Sequence, residues 1–149
     1  MRFLYYDKIE LINKGKDIVG IKTFSLSEEF LRKHFTKKPL IPGVIFIEAM
    51  AQLLGWLIIY THDFKLSSIM TLIEGVRLTS DLRPGFKATI HGEIINTNKR
   101  DSLGRARITV DGNEIAVIDR IIYGHFHNVD TDMLKRWFHY YSGISVSEG

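Results

Sequence analysis

The sequence predicts an α+β fold in which one long apolar helix is set into a curled antiparallel sheet. The first of the observations behind this is a run from Val44 to Tyr60 that is apolar nearly all round. The second is a set of segments after Phe86 in which apolar and polar residues alternate with the period of a strand. The third is Asp111-Gly112-Asn113, whose residue types supply hairpin chemistry between two such segments. At 149 residues, with 45% hydrophobic and 25% charged residues, the chain has the composition of an ordinary globular domain and the length to bury a core.

Asp17 to Phe24 is rich in β-branched and aromatic residues and reads as the opening strand after the break at Asn13-Lys14-Gly15-Lys16. Ser25 followed by Glu28 predicts a capping box for a short helical turn through Glu29, Phe30 and Leu31, which delivers the chain to His34. Pro39, Pro42 and Gly43 punctuate a loop, and Pro42 suits the first turn of the helix that follows. Seventeen helical residues span about 25 Å. A membrane span is the rival reading of this run, but it is short of about twenty apolar residues and carries a carboxylate, so no span is expected. Ala88, Ile90, Gly92 and Ile94 alternate with polar neighbours as one strand. Ala106, Ile108 and Val110 form another, and Glu114 to Tyr123 returns as a longer one. Gly104 and Gly112 read as turn glycines. A helix set into such a meander is the arrangement called a hot dog. Thr131 to Tyr141 predicts a short aromatic helix. Its Trp137, Phe138, Tyr140 and Tyr141 are expected to cover core or a neighbouring subunit, with no functional role assigned. Residues 1–125 are read as the hot-dog domain and 126–149 as a C-terminal extension rather than a second domain.

The absence of cysteine excludes disulfide frameworks, thiolate metal sites and cysteine nucleophiles. Lys and Arg number 20 against 17 acidic residues, and a net charge of +3 is too mild and scattered for a nucleic-acid footprint. The N-terminal segment lacks the apolar core of a secretory signal, so a cytoplasmic protein is expected. His125 and His127, with Asp130 and Asp132 nearby, lack a defined ligand geometry, and no metal site is expected there.

Glu48 and Gln52 lie four residues apart, on one face of the apolar helix. Burial raises a carboxyl's pKa and suits it to act as a general acid, and Gln52 has the donors to hold its rotamer; a polar pair serving only the core is the competing reading. His34 precedes the loop that feeds the helix. Gly43 stands at the helix start, where main-chain N–H groups lack intrahelical partners and allow close approach of an oxyanion. A neutral imidazole at His34 is suited to take a proton from the carbon beside a thioester carbonyl, although an isolated histidine is more often structural.

The stretch His34-Phe35-Thr36-Lys37-Lys38-Pro39-Leu40-Ile41-Pro42-Gly43-Val44-Ile45-Phe46-Ile47-Glu48-Ala49-Met50-Ala51-Gln52 resembles the signature of the FabZ/FabA family of 3-hydroxyacyl-[acyl-carrier-protein] dehydratases. Tyr5-Tyr6-Asp7-Lys8 resembles the family's Asp-Arg entry segment. Gly75-Val76-Arg77 through Pro84-Gly85 resembles its later arginine and Pro-Gly turn. The resemblance implies His34 and Glu48 as the catalytic pair, Gly43 N–H on the thioester carbonyl, Gln52 in support, and no cofactor. Glu at position 48 resembles the FabZ branch. The sequence departs from the family pattern at Thr36-Lys37, where Pro-Gly is common, and at Phe86, where Asp is common, which bears on loop shape and substrate range.

The implied activity is a lyase reaction that dehydrates a 3-hydroxyacyl group on acyl carrier protein to the trans-2-enoyl product, in fatty-acid or related polyketide and polyene synthesis. Carrier proteins of this kind are acidic, which makes Lys33, Lys37, Lys38, Arg77, Arg83 and Lys87 candidates for its dock, with plain solvated surface as the alternative. A homodimer, or a larger assembly of such dimers, is expected because a helix apolar all round needs more cover than one small sheet offers. The alternatives are a hot-dog acyl thioesterase and a non-catalytic acyl-binding or scaffold subunit of a synthase.

Overall fold

The computed structural model describes residues 4–32, 38–79 and 81–144. The chain runs β1 (Lys8–Asn13), β2 (Asp17–Phe24), a 3₁₀ turn (Glu29–Arg32), α1 (Gly43–Thr61), β3 (Ser67–Leu78), β4 (Phe86–Thr97), β5 (Asp101–Val110), β6 (Asn113–Phe126) and α2 (Thr131–Ser142). All strand pairings are antiparallel, and the sheet order is β1-β2-β4-β5-β6-β3. This is the hot-dog architecture expected from the sequence, with α1 lying in the curl of the sheet.

The closeness of helix and sheet has a local cause. A Cβ at Gly20 on β2 would fall 2.8 Å from Leu53 Cδ1, and one at Gly104 on β5 would fall 2.7 Å from Leu54 Cδ2. Glycine at these two points lets the helix settle until Leu53 and Leu54 are fully buried. Gly104 is therefore a packing residue inside a strand, not the turn glycine expected. Gly112 keeps its expected part: Asp111 and Gly112 both have positive φ and join β5 to β6 through a two-residue loop between the paired Val110 and Asn113.

Two strands escaped the sequence reading. β1 is a short, charged edge strand with Ile9 its one buried residue, and β3 is a twelve-residue edge strand whose Ile69 and Leu72 are exposed. Neither has a buried apolar face regular enough to betray a period of two. The expected capping box does not form. Ser25 Oγ bonds Ser27 Oγ at 2.8 Å, and the Glu28 carboxylate is taken by the nearly buried Lys22 ammonium at 3.1 Å, since a buried cation needs a counter-charge more than a one-turn helix needs a cap. Asp7 shares that ammonium at 3.6 Å and accepts from Thr23 N–H, tying the entry segment to β2.

α1 is long and apolar enough to cross a bilayer, and 61% of its most apolar stretch is buried within the fold. α2 is a capped helix of its own. Asp130 accepts from Met133 N–H at 3.0 Å, and Gly143 ends the helix in the left-handed region at φ 74°. Its Phe138 is wholly buried against Trp56, Tyr60 and Phe64, with ring centroids 5.6, 5.7 and 5.5 Å apart.

Candidate active site

α1 supplies most of the site. Pro42 occupies the N-cap with φ −60° and ψ 135° and, lacking a side-chain acceptor, leaves the first-turn N–H groups uncapped by any side chain. Gly43 is the first helical residue, half-buried, and a Cβ there would fall 2.7 Å from Leu78 Cδ1. Leu78 of β3 thus closes over the helix start at a point where only a glycine fits without the leucine moving.

One turn further on, Glu48 is half-buried rather than enclosed. Its Oε1 accepts from Gln52 Nε2 at 3.1 Å, and Gln52 Oε1 accepts from the Tyr5 backbone N–H at 2.9 Å. A backbone N–H can only donate, so it fixes the amide oxygen toward Tyr5 and turns the amide nitrogen to Glu48. The helix face and the N-terminal segment therefore hold the carboxyl group between them. Tyr123 adds a second clamp: its hydroxyl, buried on β6, donates to the Ala51 carbonyl at 2.7 Å. Burial, and after it the Glu48 carboxylate, push the Tyr123 phenol well above its ordinary range, so it stays a donor.

Glu48 opens onto a groove of about 520 Å³ that follows one stripe of α1 through Gln52, Gly55, Trp56 and Ile59. β3 contributes Met70 to its wall and α2 contributes Trp137 and Tyr141. The structure thus brings Gly43, Glu48 and Gln52 onto one helix, while His34 lies outside the described residues, as do Lys33 and Lys37.

The remaining basic candidates are dispersed. Lys38 is exposed just before α1, Arg83 in the loop before β4, and Lys87 on β4. Arg77 on β3 forms a two-point pair with Asp119 at 2.8 and 3.1 Å, so its charge is already answered within the chain. Among the described residues no group of three or more His, Cys, Asp or Glu side chains is placed to hold a metal ion. His125 and His127 face different partners: His125 Nε2 meets Ser102 Oγ at 2.8 Å, and His127 Nε2 meets the Lys99 carbonyl at 2.8 Å.

Tyr5, Tyr123, Trp137 and Tyr141 were not foreseen as part of the site. Tyr5 acts through its main chain, which no residue type announces. The other three come from segments remote in sequence, and only the fold brings them to the groove.

The FabA-like domain family model matches residues 1–119. The chain belongs to the FabA-like family. Among curated relatives, the 3-hydroxyacyl-[acyl-carrier-protein] dehydratase FabZ of Clostridioides difficile is 32% identical over 122 residues, covering 81% of this chain and 85% of that one. The FabZ of Ruminiclostridium cellulolyticum is 30% identical over 115 residues, covering 76% and 81%. In fold, this FabA-like chain is also similar to a Streptococcus mutans protein solved with acetyl CoA, with a TM-score of 0.67, 12% identity and coverage of 87% and 95%. A thioesterase from Haemophilus influenzae gives a TM-score of 0.63 at 11% identity, covering 82% and 79%. α2 lies wholly beyond the stretch that the family model matches.

Proposed function

We propose that this FabA-like protein dehydrates a 3-hydroxyacyl thioester carried on acyl carrier protein, as the FabZ relatives are named for doing. The observation that carries the reading is Glu48: a carboxyl group oriented by Gln52 and Tyr5 at the mouth of an apolar groove, one turn beyond an uncapped helix N-terminus. A polar pair serving only the core would be enclosed, whereas this one faces a cavity large enough for an acyl chain.

In the proposed reaction His34 takes the proton from C2 while Gly43 N–H stabilises the negative charge that grows on the thioester oxygen. The C2–H electron pair becomes the new C2–C3 bond. The C3–O bond breaks, Glu48 gives its proton to the departing hydroxyl, and one water leaves. Solvent exchange then returns the proton from His34 to Glu48. The protein itself supplies every group this sequence of steps requires.

Lys38, Arg83 and Lys87, with Lys33 and Lys37, remain the candidate dock for the acidic carrier, while the Arg77–Asp119 pair weakens the case for Arg77. The catalytic assembly is a homodimer in the cytoplasm. Its support is the edge at β3, where Ile69 is 58% and Leu72 44% exposed along a twelve-residue strand with a single acidic and a single basic residue. An open apolar edge of that length invites pairing with another strand, and a second copy of β3 is self-complementary by two-fold symmetry.

Hydrolysis is the second reading, since a carboxylate at such a groove can also activate water and the fold is shared with thioesterases. Mass spectrometry of the products from a panel of 3-hydroxyacyl carriers separates the two. Loss of one water with the thioester intact is expected; free carrier thiol and 3-hydroxy acid would replace the dehydratase by a hydrolase, and unchanged substrate would leave a binding subunit.

A further inference from the structure

The groove is lined in part by α2, a segment that lies outside the family match. From Glu48 the groove follows the α1 stripe to Trp56 and Ile59, and Trp137 and Tyr141 of α2 line the same groove, with α2 held at the Trp56 level by Phe138. Trp137 and Tyr141 are one helical turn apart and so share a face of α2. Phe138, next to Trp137, is held by Trp56, Tyr60 and Phe64, which anchors α2 at that level of α1 and no other. Trp137 is 48% exposed and Phe138 is fully buried, so the two neighbours divide the work: one fixes the helix and the other meets the cavity.

We propose that α2 is a ruler for the acyl chain, with Trp137 and Tyr141 forming the end wall that limits substrates to short and medium lengths. This rests on the dehydratase reading for the identity of the chain that enters. The occupant follows from continuity: the groove starts at the carboxyl group that meets C3, and what extends from C3 is hydrocarbon. Eight residues of helix separate Glu48 from Trp56, about 12 Å of rise, which accommodates roughly nine extended carbons. Acyl groups of up to about twelve carbons therefore fit and longer ones meet the wall.

The test measures kcat/KM for 3-hydroxyacyl pantetheine thioesters of increasing length in the full-length protein. Wild type is expected to discriminate by at least about tenfold between a chain that fits and one several carbons too long. The Trp137→Ala, Tyr141→Ala double variant, which leaves the Phe138 anchor in place, should raise the long-to-short ratio by a similar factor. Gly55→Ala should lower it. Its added methyl would sit in ordinary contact with Ser68 Oγ and Tyr123 Cε1, at 3.6 and 3.8 Å, so the helix tolerates it while the channel narrows. A wild type indifferent to length, or a ratio unmoved in both variants, would overturn the ruler. If no thioester is dehydrated at any length, the dehydratase reading fails by itself. Calorimetric binding of saturated acyl pantetheine amides then tests the ruler alone: a length cut-off that moves with the variants sustains it, and one that does not move, or no cut-off at all, rejects it.

Discussion

Glu48 and Gln52 show how two residues four positions apart become a device. Their shared helix face was legible in the sequence, and so was the likeness of the whole stretch from His34 to Gln52 to the dehydratase signature. The third member, the Tyr5 N–H, was not, because a main-chain donor has no residue type. Two predictions follow the division of roles. Glu48→Gln keeps shape and hydrogen-bonding capacity but deletes the proton donor, so dehydration should fall at least about a hundredfold in kcat, with the circular dichroism spectrum unchanged. Near-normal turnover would remove Glu48 from the chemistry. Gln52→Leu breaks the link to Tyr5 and frees the carboxyl rotamer; a hydrogen bond to a neutral carboxyl is worth about 1 kcal/mol, so kcat should fall roughly fivefold with KM little changed. A change confined to KM would make Gln52 a binding residue instead.

Among the elements, those with a regular buried face were readable and the edges were not. β4, β5 and β6 declare their periods, β2 its β-branched and aromatic content, and α1 its unbroken apolar run. β1 and β3 declare no period, because a strand at a sheet edge need not alternate. α2 was legible as a helix, but its purpose was not, since nothing local says what Phe138 packs against. Phe138→Ala should cost about 3–5 kcal/mol in chemical denaturation or release α2 as a protease-sensitive segment, because it empties the space between Trp56, Tyr60 and Phe64. Unchanged stability and unchanged proteolysis together would mean α2 is not anchored there.

The opposite end of α1 is tied down by a chain of hydrogen bonds. His62, its C-cap residue, meets Thr97 Oγ1 at 2.7 Å, Thr97 meets Ser102 Oγ at 2.7 Å, and Ser102 meets His125 Nε2 at 2.8 Å. Burial is the main cause that lowers both imidazole pKa values. For His62, Asp63 opposes and His127 adds; for His125, the nearby His62 adds, the Lys99 carbonyl and Asp101 oppose, and His127 adds. The unfolded chain binds these protons near the ordinary histidine value of 6.5 and the folded chain only at lower pH. Below that value the unfolded state therefore holds more protons, and stability falls as pH falls. Urea midpoints at about pH 7.5 and about pH 5.5 should separate more for wild type than for the His62→Gln, His125→Gln double variant. Equal separation would assign the acid loss to other groups.

For the whole molecule, the FabA-like fold and the likeness to the dehydratase signature were both written in the sequence, whereas the groove was not, because its walls come from the N-terminal segment, α1, β3, β6 and α2 together. The reading of α1 as a helix needing more cover than one sheet supplies finds a partial answer in α2, which shields its C-terminal half. The exposed apolar edge is at β3 instead, and β3 is where a second copy is expected to join. We propose that each active site of the homodimer takes its Glu48 from one copy and its His34 from the other, as pairing of two copies of one chain allows. The most direct test is to unfold and refold an equal mixture of two inactive variants, His34→Ala and Glu48→Gln, and to measure dehydration. In a mixed dimer with shared sites, one site carries both lesions and the other keeps both native residues. Random pairing makes half of the dimers mixed, so roughly a quarter of wild-type activity should return. No recovery, with mixed dimers confirmed by mass, would contradict the account, because a pair drawn from a single chain leaves one lesion in every site.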